Sequence, residues 1–110
     1  MSGLDLVQGT LDVLILKTLS WGPLHGYAIA MWVKERTEEA LLIEEGALYP
    51  ALHRLARRGW VESEWGLSEN NRKAKYYRLT PKGRAQLKAE MSEWDQYVAA
   101  VGQVLRAVSP

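Results

Sequence analysis

Ten of the chain's fourteen basic side chains fall within residues 46–88, where only Glu62, Glu64 and Glu69 oppose them and the net charge is +7. Residues 1–45 carry −4 and residues 89–110 carry −2, so a total of +1 hides a basic segment between two acidic ones. This distribution describes one polyanion-binding face, or equally a solvated basic surface. The residue types suit the first use: arginine donates two hydrogen bonds to a guanine edge, and lysine or arginine neutralises phosphates. Arg54, Arg57 and Arg58 follow Tyr49 and His53 closely, and Arg72, Lys73 and Lys75 lie beside an Asn70-Asn71 turn.

Other chemistries are poorly supplied. The chain has no cysteine, which removes disulfides, thiolate nucleophiles and cysteine-ligated metals and fits a reducing compartment. His25 and His53 lie apart, without evident serine or carboxylate partners or metal-ligand spacing, and no glycine-rich phosphate loop is present. The expectation is a protein that is not an enzyme, with no cofactor and no metal. The longest apolar run, Tyr27–Val33, is far short of the roughly 20 residues that span a bilayer, and no secretory signal opens the sequence. A cytoplasmic protein with no membrane partner is expected.

The elements that must position these residues can be read from periodicity. In a 110-residue chain with 47% hydrophobic residues, a single globular unit is expected. Apolar residues from Leu4 to Leu19 repeat at helical intervals, and Trp21-Gly22-Pro23 ends that first helix. A second helix is expected from His25 to Glu38, and a third from Ala47 to Arg58, ended by Gly59. In the third, Leu48, Ala51, Leu52 and Leu55 share one face. The remaining surface offers Ala47, Pro50, Arg54, Arg57 and Arg58, flanked by Tyr49 and His53. Trp60–Trp65 and Lys75–Thr80 read as a hairpin, and Thr80-Pro81 opens a last helix.

In that last helix Leu87, Met91, Trp94, Val98, Val101, Leu105 and Val108 alternate in steps of four and three, a heptad seam. Such a seam argues for a homodimer; the alternative is packing on the first helix of the same chain. The fold class expected is mainly α with a small β-hairpin: a winged helix-turn-helix over residues 1–80 and a dimerisation helix over 81–110. The third helix would enter the major groove of double-stranded DNA. A protein-interaction module that dimerises through the last helix, without sequence-specific DNA binding, is the competing reading.

Four stretches carry a family resemblance: Gly9-Thr10-Leu11-Asp12, Gly22-Pro23-Leu24-His25-Gly26-Tyr27, Gly46 through Leu55, and Tyr76 through Gly83. Together they resemble the PadR family of transcriptional regulators, in the shorter class with one C-terminal helix. The resemblance implies a homodimeric repressor, often of a transporter or detoxification gene, relieved by a small molecule. Ala47 stands where the family usually has serine or threonine, which removes a cap and a phosphate contact and shifts weight to Tyr49. The residues expected at DNA are Tyr27, Ala47, Tyr49, Pro50, His53, Arg54, Arg72, Lys73 and Lys75; for Tyr27 and Tyr49 a mainly structural role is an equal alternative. Leu11, Ile15, Trp94 and Val98 are expected to line an apolar space between subunits for a small planar aromatic effector, with ordinary core packing the alternative for Trp94. Trp21, Trp32, Trp60 and Trp65 are expected to be structural.

Overall fold

The computed structural model describes residues 9–110. The first helix, α1, runs Thr10–Thr18 and tightens into a 3-10 turn at Leu19–Trp21. Leu4, Leu6 and Val7, expected in this helix, lie outside the described residues. Strand β1 (Leu24–His25) leads directly into α2 (Gly26–Arg36), whose first turn is capped by the His25 ring: Nδ1 accepts from the Ala28 N–H at 3.2 Å. α2 stops two residues earlier than the sequence suggests, because Glu38 and Glu39 adopt left-handed backbone angles (φ 52° and 66°). The Thr37 hydroxyl donates to the Val33 carbonyl at 2.8 Å, closing the helix end.

Helix α3 spans Glu45–Arg57 and ends as its glycine requires. With Gly59 at φ 77°, its N–H reaches the Ala56 carbonyl at 3.0 Å and the Trp60 N–H reaches Leu55 at 3.1 Å, a Schellman closure. Strands β2 (Val61–Leu67) and β3 (Lys73–Leu79) pair antiparallel, with Val61 opposite Leu79 and Trp65 opposite Lys75. The hairpin is longer than the sequence suggests, and its turn is held by the Ser68 N–H on the Arg72 carbonyl at 2.8 Å. β1 joins β3 as a third strand, Leu24 opposite Tyr77, giving the sheet order β1-β3-β2. Two residues carry no legible alternation, so this strand was missed in the sequence.

Helix α4 (Pro81–Leu105) starts on the Thr80 cap, whose hydroxyl accepts from the Gly83 N–H at 3.0 Å and donates to the Gly59 carbonyl at 2.6 Å. Gly83 is compulsory: a Cβ there would collide with the Trp60 carbonyl oxygen. The core gathers Ile15, Leu16 and Leu19 of the first segment, Ile29 and Val33 of α2, and Leu48, Ala51, Leu52 and Leu55 of α3. Val61, Tyr77 and Leu79 close it from the sheet. Each such large side chain contributes about 1.5–3 kcal/mol on burial. Of the heptad seam only Leu87 joins this core. The architecture is a winged helix-turn-helix with a long terminal helix lying against α1.

Candidate nucleic-acid interface

The burial of Leu48, Ala51, Leu52 and Leu55 fixes the rotation of α3, because successive residues turn by about 100°. Its outer face is then centred on Pro50, His53 and Arg57, all exposed, with exposed Ala47 and Tyr49 on its flanks. Arg54 lies on the flank next to α1. There its Nη2 donates to Asp12 Oδ1 at 2.7 Å, and Arg58 Nη1 lies 4.0 Å from the same carboxylate. The Asp12 side chain is only 14% exposed, so this is a partly sheltered ion pair between helices. Arg54 was expected on the free outer surface; the rotation that buries four core residues turns it instead onto α1.

Beside α3, a cleft of about 680 Å³ opens between the N-terminus of α2 and the hairpin. His25, Tyr27 and Tyr49 form one wall, and Trp65, Arg72, Lys73 and Lys75 form the other. Glu69 lines it at the turn. The Tyr49 ring packs so closely on Gly26 that a Cβ there would lie 2.7 Å from the phenol oxygen. Glycine in the first turn of α2 thus seats Tyr49 while leaving the ring partly exposed. At the cleft floor, burial and then the neighbouring Tyr49 raise the Tyr77 phenol above its ordinary 10.0. It remains a neutral hydroxyl at physiological pH.

Strand alternation sorts the hairpin's charges. Trp65, Leu67, Lys73 and Lys75 continue the face that carries Val61, Tyr77 and Leu79 into the core, but beyond the core's edge. Lys73 Nζ sits 5.1 Å and Lys75 Nζ 5.9 Å from the centre of a Trp65 ring. The opposite face holds Glu62 and Glu64, both within reach of Arg78, at 2.9 and 3.7 Å. Acidic groups are therefore matched on one side and basic groups presented on the other. Trp65, expected to be structural, is 61% exposed on the basic side. The sequence pattern showed its strand and face, but not where the core ended along that strand.

The seam of α4 forms a second surface. Met91, Trp94, Val98, Val101 and Leu105 are exposed together with Tyr97 and Val104, and Val108 lies past the helix end. A groove of about 390 Å³ runs between the start of α1 and α4, lined by Gly9, Thr10, Val13, Glu90, Glu93, Trp94 and Tyr97. Ile15 is wholly buried in its own domain and Leu11 packs on that core, so Thr10 and Val13 face Trp94 instead. Val98 lies along the seam, outside the groove lining. One carboxylate oxygen of Glu90 is buried without a hydrogen-bond partner. Burial, Asp12 and Glu93 hold that carboxyl above its ordinary 4.5, against the opposing pull of Gln86 and Arg58. Among the described residues no helix is long and apolar enough to cross a membrane.

The Transcriptional regulator PadR-like family description matches residues 15–89 of this chain. A solved transcriptional regulator from Clostridium thermocellum superposes with a TM-score of 0.82 at 32% identity, covering 91% of this chain and 97% of its own. A PadR family transcriptional regulator from Eggerthella lenta gives 0.78 at 32% identity, covering 91% and 85%. An uncharacterized protein X of Lysinibacillus sphaericus is 33% identical over 90 residues, 82% of this chain and 83% of that protein.

Proposed function

The chain belongs to the PadR-like family of transcriptional regulators, and from that premise we propose that it is a repressor binding a palindromic operator as a homodimer. Residues 1–80 act as the DNA-binding domain, and residues 81–110 as the dimerisation helix. The observation that carries the reading is the cleft in which Tyr27 and Tyr49 face Lys73 and Lys75 beside the exposed face of α3. α3 enters the major groove, with Pro50, His53 and Arg57 toward the base edges and Ala47 allowing close approach. The Tyr27 and Tyr49 hydroxyls contact phosphates next to the α2 N-terminus, and Arg72, Lys73 and Lys75 neutralise the backbone under the hairpin. Arg54 serves by fixing α3 on α1.

The seam supports dimerisation. Met91, Trp94, Val98, Val101 and Leu105 form an exposed apolar stripe along a single helix, and a second copy covers it with an identical stripe. A small planar aromatic effector enters the groove beside Trp94 and Tyr97. It releases DNA by binding more tightly to dimers whose recognition helices are wrongly spaced, since only differential affinity moves the equilibrium. Trp94→Ala then abolishes both ligand binding and ligand-induced release.

Fluorescence anisotropy on duplexes from the region upstream of the protein's own gene tests the reading. One segment is expected to bind at least about 10³-fold more tightly than random duplex at physiological salt. Arg57→Glu removes that preference. Undiminished function in Arg57→Glu, or equal affinity for every duplex, supports the interaction-module alternative instead.

A further inference from the structure

We infer that Trp65 is a DNA-contacting residue whose indole packs on deoxyribose at the wall of the minor groove, setting the depth at which the hairpin enters. The inference rests on the DNA-binding reading and goes beyond it, because phosphate neutralisation alone needs only Arg72, Lys73 and Lys75. An exposed tryptophan on a two-stranded ribbon serves no core, and Trp65 stands outside the buried cluster formed by Val61, Tyr77 and Leu79. It lies opposite Lys75 in the strand register, on the face that lines the cleft with Tyr27 and Tyr49. Lys73 and Lys75 both hold their ammonium groups near its ring, at 5.1 and 5.9 Å. The arrangement is an exposed indole with two ammonium groups held over its ring.

That arrangement matches one chemical surface. Phosphates flank the minor groove and sugars form its walls, so the ammonium groups held beside the indole meet phosphate as its exposed part meets deoxyribose. The two carboxylates of β2, Glu62 and Glu64, point away from this face and pair with Arg78. A protein partner would be recognised by the same residues only if it carried acidic groups in this spacing, and nothing about the cleft's second wall of tyrosines and histidine requires one.

Hydroxyl-radical footprinting of the full chain, on a duplex recovered by selection from a random pool, tests the assignment because the radical attacks deoxyribose from the minor groove. Wild type is expected to protect sugars at two outer positions as well as beside the recognition helices. Trp65→Ala loses the outer protection alone and weakens binding about tenfold, as removal of a buried interface tryptophan typically does. Because no charge is removed, the slope of log affinity against log salt stays at the wild-type value, whereas Lys73→Ala lowers it by about one. Trp65→Phe retains most of the protection. Trp65 is exposed, so the variants keep the wild-type melting temperature. An unchanged outer footprint and affinity in Trp65→Ala overturns the assignment while leaving the DNA-binding reading intact. Failure of wild type to protect any duplex overturns both.

Discussion

The guanidinium of Arg54 meets the carboxylate of Asp12 at 2.7 Å, tying the recognition helix to α1. The same carboxylate lies 4.0 Å from Arg58 and acts electrostatically on Glu90 of α4. Asp12 thus stands between α3 and α4.

If Arg54 positions α3 rather than reading a base, Arg54→Ala and Asp12→Asn each destabilise the chain by about 1 kcal/mol, the upper range for partly exposed pairs. The double variant costs little more than either single one, because the two share one interaction. Thermal melts check this, and titrations on operator and random duplex complete it: both variants keep the ratio of the two affinities near the wild-type value. A tighter operator complex in Asp12→Asn, with the ratio raised, would show that Asp12 restrains a base-reading arginine.

Replacing Val98 and Val101 together by glutamate places charges in the middle of the proposed seam, where a second helix must desolvate them. The expected product is a folded monomer with little operator affinity, since neither side chain belongs to the buried core. Sedimentation velocity reads the result directly. A dimer of unchanged stability contradicts the assignment of α4.

The helices, the hairpin and the heptad seam were legible because each repeats a period over several turns. β1 was not, since two residues give no period, and its partner Tyr76-Tyr77 looked complete within the hairpin. The recognition helix was placed to within two residues by Pro50 and Gly59, yet the direction of Arg54 depended on how far α3 rotates to bury Leu48 and Leu55. Helical spacing puts residue 54 at the edge of the outer face. Only the neighbouring Asp12, 42 positions away in sequence, decides which way it turns. The burial of Ile15 is hidden for a related reason: an amphipathic stripe does not say which of its residues meets the core and which meets a second helix.

Glu90 supplies a pH dependence whose sign is fixed by the direction of its shift. Burial and the nearby Asp12 and Glu93 raise its folded value above 4.5, so the folded chain binds this proton more tightly than the unfolded chain. The resulting stabilisation is complete below 4.5 and is lost as pH rises through the raised folded value. At pH 7 the carboxylate is therefore a liability. Glu90→Gln is expected to melt higher than wild type at pH 7 and equally at pH 4. A variant that melts lower at pH 7 shows instead that the charge is used by the fold.

In the proposed complex two copies of α3, held at a fixed distance by α4, read one two-fold DNA site. Selection of duplexes from a random pool by the full-length chain, followed by sequencing of the bound fraction, measures this most directly. The predicted result is an inverted repeat whose half-sites lie about one or two helical turns apart, recovered by wild type and lost in the Val98→Glu, Val101→Glu variant. Enrichment of a single half-site by wild type and variant alike, or no enriched sequence at all, would contradict it.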